Sequence, residues 1–137
     1  MRLLFDLETD NLLDDVTTIW CMVARDIDTD EEYVFGPTEI DKGLTLLRSA
    51  TLLAGHNICQ YDLPVLQKLK QHARPAKGGV LDTLLWSRAS YPMLSLDDFK
   101  RSQRHTGPDL EARLSGSHSL EAWGQRLGNH KGSIGKD

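Results

Sequence analysis

The chain has 137 residues, 39% of them apolar and 26% charged, and a formal net charge of −4. That is enough chain for one domain with a real core, and no window approaches the run of about 20 apolar residues that a membrane span needs. The acidic balance argues against a module that coats nucleic acid through phosphate contacts alone, while it suits a cluster of carboxylates that takes up divalent cations.

Leu3 to Leu7 is a short apolar run closed by the turn signal Thr9-Asp10-Asn11, and reads as a first strand. Thr17 to Ile27 reads as a second strand, and Glu32 to Phe35 as a third that forms a hairpin with it. Thr38 is placed to cap a helix, with Asp41 three residues on and Ile40, Leu44 and Leu47 along one face. Thr51 to Ala54 reads as a brief strand and Gly55-His56-Asn57 as a loop. Tyr61 to His72 reads as a second helix, with Pro64 in its first turn and Leu63, Leu66 and Leu69 as its stripe beside Val65. Val80 to Thr83 opens a further strand or helix, and Leu84 to Ser90 reads as helical, ending before Pro92. The polar stretch Lys100 to Leu114 reads as an exposed loop broken by short helices. Ser117 is expected to cap a last helix with Leu120, Trp123 and Leu127 buried and Gly128 as its stop. Trp20, Trp86 and Trp123 are expected in the core. The order of elements implies an α/β or α+β layer fold around one sheet. Cys21 and Cys59 form neither a zinc pattern nor a disulfide framework, and no signal-peptide layout opens the chain, so a reducing, cytoplasmic setting is expected.

On a strand, residues two apart share a face. Asp6 and Glu8 therefore stand side by side, with Phe5 and Leu7 on the opposite face. Two such carboxylates repel unless they point into water or a hard cation such as Mg²⁺ or Mn²⁺ neutralises them. Alone, an Asp-x-Glu is as well explained by a solvated strand edge. Asp62 begins a helix directly after a short strand, where an acid serves either as cap and dipole partner or as a third carboxylate at the same cluster. His56 is expected to be a structural loop histidine.

Phe5-Asp6-Leu7-Glu8-Thr9 resembles the first motif of the DEDD proofreading exonucleases, and His56-Asn57 followed by Tyr61-Asp62 resembles the second. Leu81-Asp82-Thr83-Leu84 and the block from Gly116 to Gly128 extend the resemblance, in order and along essentially the whole chain, to the exonuclease domain of family A DNA polymerases of short-tailed bacteriophages. The resemblance implies a ribonuclease-H-like α/β fold, with a mixed central sheet flanked by helices. It implies hydrolysis of the 3′-terminal phosphodiester of DNA by two divalent metal ions, Mg²⁺ or Mn²⁺. By resemblance Asp6 bridges both metals, Glu8 binds the first, and Asp62 holds water on the second. Thr9 would meet the sugar or terminal phosphate, and Asn57 and Tyr61 belong to the substrate side. Leu12 would lie against the terminal base, or equally in the core. The partner is the single-stranded 3′ end of DNA, in the cytoplasm of a bacterial host.

The family's third motif, Tyr-x3-Asp or His-x4-Asp, is not found: Tyr91 is followed by Ser95 at the fourth place and His118 by Trp123 at the fifth. Residues 1–137 are thus read as one exonuclease domain lacking its C-terminal helices. Its metal site is expected to be incomplete, and its activity impaired unless a polymerase domain or separate chain supplies the last helix. The competing readings are a non-catalytic holder of a single-stranded 3′ end, for which Lys100, Arg101, Arg104 and Arg113 are the basic candidates, and an assembly piece that docks to a polymerase-like partner.

Overall fold

The structure is a computed structural model and describes residues 1–70 and 78–129. Five strands form one sheet: β1 (Arg2–Thr9), β2 (Ile19–Asp26), β3 (Glu32–Phe35), β4 (Leu52–Gly55) and β5 (Gly79–Asp82). Their spatial order is β3-β2-β1-β4-β5. β2 pairs antiparallel with both β1 and β3, whereas β4 runs parallel to β1 and β5 parallel to β4. The sheet is therefore mixed, and the hairpin expected from the turn at Asp28-Thr29-Asp30 is present. α1 (Ile40–Ser49) lies between β3 and β4 in the chain, and α2 (Asp62–Lys70) between β4 and β5. α3 (Thr83–Ser90), α4 (Leu94–Arg104) and α5 (Leu120–Leu127) follow, with a 3-10 turn at Ala112–Leu114.

The chain divides into two compact units, residues 1–83 and 84–137. In the first, the alternation of β1 puts Leu3, Phe5 and Leu7 into the core and leaves Arg2, Leu4, Asp6 and Glu8 exposed. The core continues through Met22, Ala24 and Leu53 of the sheet to Leu44 and Leu47 of α1 and Leu63, Val65 and Leu66 of α2. Each such side chain, fully buried, contributes about 1.5–3 kcal/mol. α1 lies so close to the sheet that a Cβ on Gly43 would meet Met22 Sδ at 2.6 Å and Phe35 Cδ2 at 2.9 Å. Thr38 is not the cap of α1. The helix starts two residues later, behind Glu39, whose carboxylate pairs with Lys42 at 2.7 Å and makes no capping bond. The expected end of the second helix, Gln71 and His72, lies outside the described residues.

In the second unit a buried ion pair replaces the expected apolar stripe. Arg126 on α5 gives Nε to Asp98 Oδ1 at 2.9 Å and Nη2 to Asp98 Oδ2 at 2.6 Å, and both side chains are about one-twentieth exposed. Gly116 N also donates to Asp98 (2.9 Å), and Arg126 donates to the Ser117 carbonyl (2.8 Å). Ala122, Gln125 and Arg126 are the buried residues of α5, whereas Leu120 and Leu127 are 60% and 73% exposed. The stripe fails because the face that satisfies the guanidinium and its carboxylate turns Leu120 and Leu127 outward. The cap of α5 is Ser119, whose hydroxyl accepts from Ala122 N (3.2 Å), and Ser117 instead bonds Ser119. Gly128 ends the helix in the left-handed conformation, as expected (φ 68°). Lys100 to Arg104 is the last part of α4 rather than loop. Trp20 and Trp86 are more than half exposed, so neither is core.

Candidate active site

The three parallel strands β1, β4 and β5 end along one edge of the sheet, the edge where α/β sheets place their ligand-binding groups. Asp6 and Glu8 project from the exposed face of β1, side by side as the alternation requires. β1 runs on past its pairing with β4, which stops at Leu4 opposite Ala54. The amide of Leu7, beyond that point, donates to Asp62 Oδ1 at 3.0 Å. Asp62, the first residue of α2 and only 3% exposed, is thereby drawn to the stretch of β1 between Asp6 and Glu8. α2 thus brings Asp62 to the backbone of β1 beside Asp6, whose charge acts on it, and Glu8 stands two residues further along the same strand face.

Their electrostatics follow from that placement. Burial first and the nearby Asp6 second push the Asp62 carboxyl up to about 7, with the Leu7 amide working in the opposite direction. Asp82, at the end of β5, adds to the rise.

The donors fit a hard divalent cation in kind, since all are carboxylate oxygens. A positive charge there would also relieve the repulsion that holds Asp62 toward its neutral form. Among the described residues no group of three or more His, Cys, Asp or Glu side chains stands ready to hold a metal ion. Closure on a cation thus requires Asp6 and Glu8, both exposed, to turn toward Asp62.

The expected substrate-side residues divide into two kinds. The Tyr61 hydroxyl donates to the Asn11 carbonyl at 2.6 Å, and the Thr9 hydroxyl, 3.1 Å from that carbonyl, also meets the Tyr61 hydroxyl and gives its one hydrogen to either. They fasten the segment that leaves β1. Lys68 of α2 fastens the same segment further on, donating to the Leu13 and Asp14 carbonyls at 2.9 and 2.8 Å. Asp10 closes it by accepting from the amides of Thr17 and Thr18, both at 3.0 Å. At the outside of this tied loop Leu12 is 80% exposed, so it is not a core residue. Asn57 sits in the left-handed conformation (φ 65°) in the β4–α2 loop, and its carbonyl accepts from Gln60 N and Tyr61 N. His56 bonds the Thr83 hydroxyl through Nδ1 at 3.0 Å, as a structural histidine does.

Sequence reasoning assigned no role to Asp82 or Lys68. Asp82 sits in the quoted Leu81-Asp82-Thr83 block, but its partners lie 23 and 25 residues away and become visible only through the pairing of β4 with β5. Lys68 carries no signal beyond its place on the exposed side of a helix. Of the basic candidates, Arg101 donates to the Thr106 and Arg126 carbonyls, and Arg113 pairs with Glu111 and Glu121, so both are engaged within the second unit.

The mixed five-stranded sheet with its helices is the ribonuclease-H-like α/β fold that the motifs implied. A solved structure of similar fold, with a TM-score of 0.50 over 65% of this chain, is the family B DNA polymerase of the archaeon Pyrobaculum calidifontis. It is 14% identical, and the match covers 16% of that polymerase. No protein-family profile matches the chain. Curated relatives do: the DNA-directed DNA polymerase of Enterobacteria phage T3 is 33% identical over 98% of this chain, and that of Escherichia phage T7 is 33% identical over 96%. The chain is a homologue of these phage DNA polymerases and spans about a fifth of their length (20% of each).

Proposed function

We propose that the chain is a divalent-metal-dependent 3′→5′ exonuclease module associated with a DNA polymerase, removing nucleoside monophosphates from a 3′ end of DNA as proofreading. The observation that carries this reading is the approach of the buried Asp62 carboxylate to the Leu7 amide, between the paired Asp6 and Glu8. The homology to phage DNA polymerases supports the DNA context. Asp6, Glu8 and Asp62 would hold Mg²⁺ or Mn²⁺. Bound there, the ions would supply an activated water and stabilise the leaving oxygen of the phosphodiester. With a cation bound to offset its burial, Asp62 would be held deprotonated and would help to orient the attacking water. Leu12, held outward by the loop that Tyr61, Thr9 and Lys68 fasten, packs on the terminal base. No Tyr-x3-Asp pattern occurs in the 137 residues, so full activity is proposed to draw on a fourth acid from a polymerase domain or separate chain. No helix among the described residues is long and apolar enough to cross a membrane, and the proposed setting is the cytoplasm of a bacterial host.

The test is digestion of 5′-labelled single-stranded DNA with Mn²⁺ or Mg²⁺, beside Asp6→Ala. A ladder shortening from the 3′ end and absent from the variant supports the nuclease. Retention of DNA without cleavage, in the presence of a polymerase partner as well, favours a non-catalytic holder of the 3′ end.

A further inference from the structure

We propose that Asp82 is a positioning residue: by binding the backbone of the β4–α2 loop, it sets where Asp62 meets β1. The inference rests on the nuclease reading for its purpose but on separate bonds for its geometry. Asp82 is the last residue of β5, opposite Gly55 at the end of β4, and is 5% exposed. Its Oδ1 accepts the Asn57 amide at 2.9 Å and its Oδ2 the Cys59 amide at 3.0 Å. Charge-assisted bonds of this kind are roughly twice as strong as neutral ones. The hydroxyl of Thr83, next in the chain, lies within hydrogen-bond distance of the Gly55 carbonyl (3.2 Å) and of His56 Nδ1 (3.0 Å). One dipeptide thus holds the loop at Gly55, His56, Asn57 and Cys59.

The constraint passes on to Asp62. Asn57 is kept in a left-handed conformation that a non-glycine residue adopts at a cost. From there its carbonyl accepts Tyr61 N at 3.1 Å, and the Ile58 carbonyl accepts Leu63 N at 2.9 Å. These bonds straddle Asp62 and fix the start of α2. The loop also folds tightly: a Cβ on Gly55 would come within 2.8 Å of the Phe5 carbonyl on β1. Each Asp82 oxygen accepts a backbone amide of the loop, and it is through those amides that the residue acts on the start of α2.

Asp82→Asn separates these roles. Its carbonyl oxygen can still accept one amide, while its NH₂ group faces the other amide with no acceptor. The readout is hydrogen exchange of the Leu7 amide, which Asp62 accepts, in the full chain without metal. The expected result is a loss of Leu7 protection of about tenfold or more in Asp82→Asn, with the β1–β2 ladder amides unchanged. Gly43→Ala, crowded against Met22 and Phe35, serves as a destabilised control in which protection falls across the ladder together. Wild-type Leu7 protection in Asp82→Asn overturns the proposal, and so does a uniform loss like that of the control. Mn²⁺ titration of wild type against Asp6→Ala runs alongside. Equal binding there sinks the metal reading, while the Leu7 amide still decides the placement of Asp62.

Discussion

Replacing Asp62 by Asn should have opposite effects on stability and on catalysis. Burial, then Asp6 on β1, then to a smaller extent Asp82 at the end of β5, raise the Asp62 carboxyl from 3.8 to about 7, against the Leu7 amide. A carboxyl with a raised folded value binds its proton more tightly folded than unfolded. The metal-free protein therefore loses stability as pH climbs from about 4 to about 7, and the penalty is complete above that window. At about 1.4 kcal/mol per tenfold the full penalty approaches about 4 kcal/mol. Solvent screening at the exposed Asp6 brings the expected value to about 1–3 kcal/mol. Asn keeps an oxygen for the Leu7 amide, 3.0 Å away, and carries no charge. In EDTA near pH ~8, Asp62→Asn should melt several degrees above wild type, at roughly 3 °C per kcal/mol for a domain of this size. Near pH ~4 the two melting curves should coincide. Mn²⁺ should then raise the melting temperature of wild type alone, and DNA cleavage by the variant should be lost. A variant that is destabilised equally at both pH values refutes the argument, because the Asp62 charge would then carry no penalty in the fold.

The other expected outcomes are local. Asp98→Ala leaves Arg126 buried without its carboxylate and should cost about 3–5 kcal/mol in urea unfolding of the second unit; a loss near that of a surface pair would contradict the buried geometry. Gly43→Ala should cost about 1–3 kcal/mol by crowding Met22 and Phe35, read as a shift of the urea midpoint at constant slope. Asp10 is held down to about 2 by the Thr17 hydroxyl and then the Thr18 and Thr17 amides. Its contribution to loop order is therefore present above about pH 4 and lost as pH falls toward about 2, which hydrogen exchange of the Thr17 and Thr18 amides would follow. Leu12→Ala removes an exposed side chain and should leave stability within about 0.5 kcal/mol, while raising KM for a DNA 3′ end; a large drop in melting temperature would place Leu12 in the core after all.

Much of the first unit is legible from residue order. Alternation along Leu3–Glu8 decides which face carries the acids, because a strand's two faces are fixed by its period of two. The third strand and the apolar residues of α1 and α2 are equally local. Errors concentrate where burial is decided by a partner element. The α5 sequence offers an apolar stripe through Leu120 and Leu127, yet the fold buries Arg126 against Asp98, which lies 28 residues earlier. Trp20 and Trp86 look like core by residue type, but burial depends on what packs against them.

The sequence by itself determined that Asp6 and Glu8 stand together, that Asp62 opens a helix, and that the chain resembles part of phage DNA polymerases. Those features follow from spacing and motif over a few residues. Only the tertiary structure decided that β4 stops short, leaving the Leu7 amide to Asp62, and that Asp82 meets the loop at Asn57 and Cys59. Both depend on the register of parallel strands joined through long connections. No local pattern encodes that register, because it is set by how the connecting helices pack their buried faces on the sheet.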